Sequence, residues 1–189
     1  METIGKLQNS YWLDYYNKKS NIDLPSDFAK FISQNFSNLD IDIVDLCCGD
    51  GRDSFFLSHY FNSVTGIDFA VKNLDCGNVN FHMSNVSDWI KQNKCNTLNS
   101  YIRFALHSVD TDVEDVILDN SKLIMAEFRS EDDDSYDDDH FRRKINGNSF
   151  ISKLINGNFR IKYYIEGYGM SVYQGQDPLL IRVVAEKTE

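Results

Sequence analysis

The chain has 189 residues, of which 42% are hydrophobic and 13% aromatic. A chain of this length buries roughly 70% of its unfolded surface, so one globular domain with its own core is expected. The 29 acidic and 19 basic side chains give a formal charge of −10, which disfavours binding to nucleic-acid phosphates. No stretch approaches the roughly 20 apolar residues of a membrane span, and the first residues lack the pattern of a secretion signal. The composition predicts a cytoplasmic protein without a membrane or nucleic-acid partner.

Residues 1–36 are expected to form a helical cap or lid. A helix is predicted over residues 6–20, and aromatic side chains follow one side of it. These side chains are Tyr11, Trp12, Tyr15 and Tyr16. The stripe is either core packing or a cover over a ligand, and in the second case Tyr11 and Tyr16 are the candidates for substrate contact. A second helix should begin after Ser26, whose hydroxyl can cap it.

Residues 41–189 are predicted to form the core of the domain, because short apolar runs alternate there with helical patterns. Strands are predicted over 41–46, 64–68, 79–83, 101–106, 122–128, 159–165 and 179–185, with helices around 54–57, 111–119 and 149–155. The last two strands are close enough in sequence to form a hairpin, so one should run antiparallel to the rest. The expected fold is α/β: a Rossmann-like, seven-stranded, mainly parallel sheet with helices on both faces and a C-terminal antiparallel hairpin.

A glycine-containing turn follows the first predicted strand. Gly49 and Gly51 allow the main chain to turn sharply and to approach a ligand closely. A dinucleotide site would need a third glycine where Ser54 stands, and the carboxylate of Asp45 would repel a pyrophosphate. An amino group would suit Asp45 better. Asp68 ends the second predicted strand, where a carboxylate can accept hydrogen bonds from both hydroxyls of a ribose.

This combination resembles the class I S-adenosylmethionine-dependent methyltransferases, whose glycine motif reads acidic-x-Gly-x-Gly-x-Gly. Asp45, Gly49 and Gly51 match the motif, whereas Cys47 stands in place of its first glycine. The resemblance implies that Asp45 engages the amino group of the cofactor's methionine and that the glycines let the backbone pass the ligand. It also implies that Asp68 holds the ribose. The alternative for both carboxylates is ordinary capping or turn formation.

The family often has an acidic residue after the third strand that accepts from the adenine amino group. Asn85 stands there, next to Val86, and its neutral amide oxygen can still accept a hydrogen bond. The resemblance thus implies S-adenosyl-L-methionine as cofactor, with a binding set made of Asp45, Cys47, Gly49, Gly51, Asp68, Asn85 and Val86.

The absence of two motifs narrows the methyl acceptor. Methyltransferases acting on exocyclic amines of DNA share an Asp/Asn-Pro-Pro-aromatic turn, and cytosine carbon-5 enzymes use Pro-Cys, but Pro25 and Pro178 fit neither. Arginines instead collect at the predicted carboxyl edge of the sheet, where their forked donors suit a phosphate or carboxylate. The candidates for acceptor binding are Arg103, Glu127, Arg129, His140, Arg142 and Arg143. A purely structural pairing of Arg103 with Glu127 is the competing interpretation.

His107 is the candidate general base, because imidazole is well suited to proton transfer near neutral pH. A lone histidine is nevertheless more often a packing or capping residue. Residues 131–139 carry seven carboxylates. They are interpreted as a solvated loop or a lid rather than a metal site, since the run lacks the central glycine of a calcium-binding loop. No metal is expected.

Several segments are similar to small bacterial methyltransferases associated with surface-polysaccharide and capsule modification. These segments are the aromatic amino terminus, Arg103 to His107, His140 to Arg143 and residues 175–182. The resemblance implies a small polar or phosphorylated acceptor, for example a sugar-linked or nucleotide-linked precursor. The predicted reaction is O-methylation of a small anionic metabolite of this kind. The alternatives are a non-catalytic methyltransferase-like binding or regulatory protein and an NAD(P)-dependent oxidoreductase on a similar sheet. The sequence leaves the acceptor and the oligomeric state open.

Overall fold

The computed structural model describes residues 4–18, 24–71, 76–93, 97–134, 142–172 and 175–188, with the backbone alone for residues 4–10. The helices are α1 (Ile4–Lys18), α2 (Asp27–Phe36), α3 (Arg52–Leu57), α4 (Val86–Asn93), α5 (Thr111–Asn120) and α6 (Gly147–Asn156). The strands are β1 (Ile43–Leu46), β2 (Val64–Asp68), β3 (Val79–Met83), β4 (Leu98–Arg103), β5 (Ser121–Arg129), β6 (Phe159–Gly167) and β7 (Leu180–Lys187).

The seven strands form one sheet in the order β3-β2-β1-β4-β5-β7-β6. Strands β1 to β5 pair in parallel, whereas β7 is antiparallel to both β5 and β6. The predicted α/β class, the seven strands and the terminal antiparallel hairpin are therefore confirmed. The chain order reverses beside β1, so the carboxyl ends of β1 and β4 flank the point where ligands bind in open α/β sheets.

Helices cover both faces of the sheet, and each face has its own hydrophobic core. Ile90 of α4, Ile117 of α5 and Leu154 of α6 are buried on one face. On the other face α2 buries Phe28 and Ile32, whose spacing of four residues places them on one side of the helix. Removing a side chain of this size from water stabilises the fold by about 1.5–3 kcal/mol. The Ser26 hydroxyl caps α2 by accepting from the backbone N–H of Ala29 at 3.0 Å, as predicted.

Two elements differ from the sequence prediction. Strand β4 ends at Arg103, not at residue 106, because Phe104 takes a left-handed backbone conformation with a φ of 54°. A short 3₁₀ helix, Leu106–Ser108, follows it. Helix α4 was not predicted, although Val86 and Ile90 have helical spacing and both are buried.

The division into a cap over 1–36 and a core over 41–189 stays a prediction. Helix α2 belongs to the predicted cap, yet it packs directly on the sheet. Within the described ranges, no helix combines the length and the apolar character that crossing a membrane requires. His140 and residues 135–139 of the predicted acidic loop lie outside the described residues.

Candidate functional site

A cavity of about 660 Å³ opens at the carboxyl ends of β1, β2 and β4. Its volume falls within the range of roughly 300–1,000 Å³ that is usual for small-molecule sites. Helix α1, the turn between β1 and α3, and the connection between β6 and β7 all contribute to its walls. One end is acidic, with Asp45, Asp50, Asp53 and Asp68, and the other end holds Arg103 and Arg129. Arg52, Asp27 and Asp110 line the cavity as well.

The turn between β1 and α3 has three residues with left-handed backbone. Gly49 and Gly51 have φ values of 59° and 78°, which glycine adopts at little cost. Cys47 has a φ of 61°, a conformation that costs a residue with a side chain roughly 1–2 kcal/mol. The backbone N–H of Cys47 donates to the Ile67 carbonyl at 2.8 Å and ties the turn to β2. The cysteine therefore occupies the conformation that a glycine in its place would take.

The cysteines of the described chain carry free thiols. Cys47 and Cys48 are partly buried beside the turn, whereas Cys76 is exposed. Desolvation raises the pKa of the Cys47 and Cys48 thiols, and the charges of Asp45 and Asp68 raise it further. Both thiols are therefore protonated at neutral pH and are poor nucleophiles.

Asp45 is the penultimate residue of β1, and its carboxyl group is buried. The hydroxyl of Ser54 donates to its Oδ2 atom at 2.6 Å. Burial raises the pKa of Asp45 to about 8, and the neighbouring charges of Asp53 and Asp68 act in the same direction. A group of this kind is stabilised in its charged form by a cation entering the cavity. The local chemistry fits an ammonium group.

Asp68 ends β2, the strand beside β1. Its Oδ2 atom accepts from the backbone N–H of Gly49 at 2.9 Å, and its Oδ1 atom accepts from that of Ala70 at 2.8 Å. Desolvation raises the pKa of Asp68, although both backbone hydrogen bonds oppose that effect. A carboxylate oxygen has two lone pairs, so each oxygen can accept a further hydrogen bond from a hydroxyl in the cavity.

Helix α1 contributes three aromatic rings to the cavity wall, namely Trp12, Tyr15 and Tyr16. The Tyr16 phenol lies directly over Gly49, where an added Cβ would collide with its hydroxyl and ring. The ring also stacks on Trp12, with 6.2 Å between the centroids. Tyr16 was predicted to contact the acceptor, but the structure places it at the glycine turn. Tyr11 is not among the residues that form the wall.

Asn85 and Val86 line the cavity beside the end of β3. The Asn85 side chain caps α4, because its Oδ1 atom accepts from the backbone N–H of Ser87 at 3.0 Å and from its hydroxyl at 2.9 Å. The amide oxygen predicted to meet the adenine amino group is thus already engaged by Ser87. Asn85 would serve that group only by sharing this oxygen.

The arginine end of the cavity is built around Glu127, which is fully buried. Arg103 donates from Nε to Glu127 at 3.1 Å, and Arg182 donates from Nε to the other carboxylate oxygen at 2.6 Å. The pairing of Arg103 with Glu127, weighed as the competing interpretation, is therefore present. Arg103 nevertheless lines the cavity, while Glu127 does not. Two guanidinium groups share one carboxylate, so this cluster carries a net positive charge.

Arg129 also lines the cavity, and His107 lies behind it. The Nη1 atom of Arg129 donates to Asp133 at 2.9 Å, and its backbone N–H faces Nδ1 of His107 at 3.3 Å. His107 is only 3% exposed and is absent from the cavity wall. In this position the buried imidazole accepts a hydrogen bond from the backbone of Arg129. Its predicted role as general base stays a prediction.

The remaining predicted arginines do not meet at the cavity. Arg143 donates from Nε to the Val109 carbonyl at 2.6 Å and from Nη2 to Glu114 at 2.5 Å. It thereby fastens the start of α5. Neither Arg143 nor Arg142 forms part of the cavity wall.

Two features of the cavity were missed at the level of sequence. Asp53 accepts from the Ser26 hydroxyl at 2.6 Å and from the Tyr101 hydroxyl at 2.8 Å, which joins α2, α3 and β4 beneath the acidic end. Phe104 carries the guanidinium of Arg103 above its ring at 4.2 Å. A serine before a predicted helix and an aspartate in the first turn of another were visible in the sequence. Their proximity depends on long-range packing.

Comparisons with known proteins agree with this geometry. Residues 41–124, less than half of the chain, match a family described as RNA cap guanine-N2 methyltransferase. The matched segment contains β1 to β4 and the acidic end of the cavity, and it ends before Arg129. No curated protein matches the chain.

Solved structures share the fold at low sequence identity. A 1,6-didemethyltoxoflavin-N1-methyltransferase from Burkholderia thailandensis, with bound S-adenosylhomocysteine, superposes with a TM-score of 0.72 at 14% identity, over 98% of this chain and 89% of that one. A SAM-dependent methyltransferase from Anabaena variabilis has a TM-score of 0.64 at 16% identity, over 95% of both chains. Magnesium protoporphyrin IX methyltransferase from Synechocystis, with bound SAH, has a TM-score of 0.61 at 11% identity, over 85% of this chain and 80% of that one. The fold is that of SAM-dependent methyltransferases.

Proposed function

We propose that the chain is an S-adenosylmethionine-dependent methyltransferase that acts on a small anionic acceptor. The observation that carries the proposal is the pair of buried carboxylates, Asp45 and Asp68, at the ends of adjacent strands beside the Gly49 turn. A buried carboxyl group with a raised pKa suits the ammonium of an amino acid. A second carboxylate fixed by two backbone N–H groups suits a pair of ribose hydroxyls.

These residues divide the work of holding the cofactor. Asp45 would pair with the amino group of the methionine part, and Asp68 would accept from the ribose. Gly49 leaves room in the turn for the Tyr16 phenol, and Gly51 leaves room for the Phe81 ring. Asn85 and Val86, which line the cavity, would contact the adenine. When bound, S-adenosylmethionine supplies a methyl group on a sulfonium sulfur. Because methyl transfer is an in-line displacement, the main contribution of the protein is to align donor and acceptor.

The positive cluster at the other end of the cavity supports an anionic acceptor. Arg103 and Arg182 share Glu127, so one guanidinium charge is left over, and Arg103 presents it to the cavity. Guanidinium donors match the paired oxygens of a phosphate or carboxylate. From the sequence alone, we carry over the finer proposals: transfer to an oxygen, His107 as base, a cytoplasmic location and a role in capsule or surface-polysaccharide modification.

The family description favours a second candidate, guanine of an RNA cap. The matched residues include the acidic end of the cavity, so the match bears on the cofactor more than on the acceptor. A formal charge of −10 disfavours a long RNA, whereas a short cap nucleotide is itself a small anion. Cap dinucleotides therefore belong among the acceptors to test.

Isothermal titration with S-adenosylhomocysteine tests the cofactor assignment. We expect micromolar binding to the wild-type protein and at least tenfold weaker binding to Asp68→Ala. The matched control is Asp119→Ala, which removes an exposed carboxylate at the end of α5 and should leave the affinity unchanged. Equal affinity of wild type and Asp68→Ala would contradict the proposal.

Turnover separates an enzyme from a binding protein. The protein would be incubated with S-adenosylmethionine and a panel of sugar phosphates, nucleotide sugars and cap dinucleotides, and S-adenosylhomocysteine release would be measured. An anionic acceptor should increase that release, and Arg103→Gln should raise its KM more than it lowers kcat. If the protein binds the cofactor but releases no S-adenosylhomocysteine with any of the acceptors, the non-catalytic alternative is favoured. Binding of NAD(P) in place of S-adenosylhomocysteine would favour the oxidoreductase.

A further inference from the structure

The Tyr16 hydroxyl is a polar group at the acidic end of the cavity. It lies over Gly49, where an added Cβ would collide with the phenol unless the Tyr16 side chain moved. The ring makes aromatic contacts with Trp12 and Tyr15 on its own helix. Among the described residues, the structure gives the phenol oxygen no hydrogen-bond partner, although it sits beside a cavity of ligand size.

The surroundings of the phenol determine which kind of partner it can take. Desolvation raises the pKa of Tyr16, and the nearby charges of Asp68 and Asp50 raise it further. The hydroxyl therefore stays protonated and acts as a hydrogen-bond donor. The hydroxyl can donate a hydrogen bond to an oxygen of the ligand, and this hydrogen bond is strongest when that oxygen is charged.

The neighbouring side chains narrow the choice of acceptor group. Under the proposed function, Asp68 takes the ribose hydroxyls and Asp45 takes the amino group of the methionine part. The remaining group next to that amine is the α-carboxylate, an anion that needs a donor near the Gly49 turn. Arg52 and Tyr16 are both donors in the cavity wall at that turn, and Tyr16 is the one that lies over Gly49 itself.

We infer that the Tyr16 hydroxyl donates a hydrogen bond to the α-carboxylate of the bound cofactor. Helix α1 would thereby bind the amino-acid end of the ligand. This inference rests on the proposed function and adds a residue outside the glycine motif to the cofactor site. Gly49 is then needed for two reasons: its positive φ forms the turn, and its missing side chain leaves room for the phenol.

The test compares two ligands that differ in the amino-acid end. S-adenosylhomocysteine contains the α-carboxylate, whereas 5′-methylthioadenosine keeps the adenine and ribose and lacks that end altogether. Affinities would be measured by isothermal titration for wild type, for Tyr16→Phe and for Tyr60→Phe. The last variant removes the hydroxyl of a surface tyrosine and serves as the control.

Tyr16→Phe should weaken S-adenosylhomocysteine by about tenfold, the scale of a hydrogen bond to a charged group, and leave methylthioadenosine within twofold. An equal loss of affinity for both ligands would overturn the inference, because it would show that Tyr16 acts only through the packing of helix α1. Unchanged affinity for both would overturn it as well. A wild-type protein that binds neither ligand would instead defeat the proposed function and the inference together. Circular dichroism would verify that Tyr16→Phe is folded.

Discussion

The hydroxyl of Ser54 donates a 2.6 Å hydrogen bond to the carboxyl group of Asp45. Ser54 stands where a dinucleotide-binding motif would have its third glycine, and here its side chain orients the residue at the end of β1. Burial still dominates the titration of Asp45 and raises its pKa to about 8. The empty site therefore holds a largely protonated carboxyl group at neutral pH.

Cofactor affinity should increase with pH from about 6 to about 8. The ammonium of the ligand needs a charged Asp45, and below the raised pKa of that group binding must first release its proton. Titration of S-adenosylhomocysteine in two buffers of different ionisation enthalpy at pH 7 should show proton release. An affinity that is flat between pH 6 and pH 8 would argue against Asp45 as the ammonium partner.

Asp45→Asn should stabilise the empty protein at pH 8 by roughly 1–3 kcal/mol while it abolishes cofactor binding. The pKa of Asp45 is raised in the folded state, so the native protein binds more protons than the unfolded chain between about pH 4 and pH 8. Its stability therefore decreases as pH rises through that window. Urea unfolding at pH 5 and pH 8 checks this: the variant should gain stability mainly at pH 8. The same gain in Asp119→Asn would point to general charge relief.

Cys47→Gly should fold and bind the cofactor with a stability within about 1 kcal/mol of wild type, because relief of left-handed strain offsets the lost packing. Cys47→Val should lose about 2 kcal/mol or more, since a β-branched residue tolerates a positive φ poorly. Thermal and urea unfolding of the two variants measure the difference. Equal stability of the glycine and valine variants would show that the backbone at residue 47 is unstrained.

Glu127→Ala should destabilise the fold by about 3–5 kcal/mol, because it leaves Arg103 and Arg182 with no shared carboxylate. Glu127→Gln keeps an oxygen acceptor for one guanidinium and should cost less. Urea denaturation gives both values. If the alanine variant loses less than about 1 kcal/mol of its free energy of unfolding, solvent already screens the interaction of Glu127 with the two guanidinium groups.

Gly49→Ala should cost less stability when Tyr16 is also replaced by alanine. In the wild-type background the new methyl group collides with the phenol, and the positive φ adds backbone strain. In the Tyr16→Ala background only the backbone strain of about 1 kcal/mol remains. A double-mutant cycle should give a coupling of about 1 kcal/mol or more. Additive losses would mean that helix α1 moves aside without penalty.

The sequence predicted which carboxylates meet at the acidic end of the cavity, because these residues are close along the chain or lie at the ends of adjacent strands. Asp45 and Gly49 lie in one turn, and Asp68 follows from the parallel pairing of β2 with β1. The left-handed backbone of Cys47 was not predicted, because a cysteine stands where the motif has a glycine.

The acceptor end was harder to predict, because long side chains at one sheet edge can point to different partners. Arg103 and Arg129 reach the cavity, whereas Arg143 turns back to Glu114 and the start of α5. Tyr16 was a candidate for contact with the acceptor, but its place above Gly49 depends on how a distant helix packs. No local pattern specifies that approach.

The raised pKa of the Cys47 and Cys48 thiols also makes the protein convenient to label. A maleimide dye at neutral pH should react with Cys76 first among the three described cysteines, since it is exposed. The chain could therefore carry a fluorescent reporter while the turn that cradles the ligand stays chemically untouched.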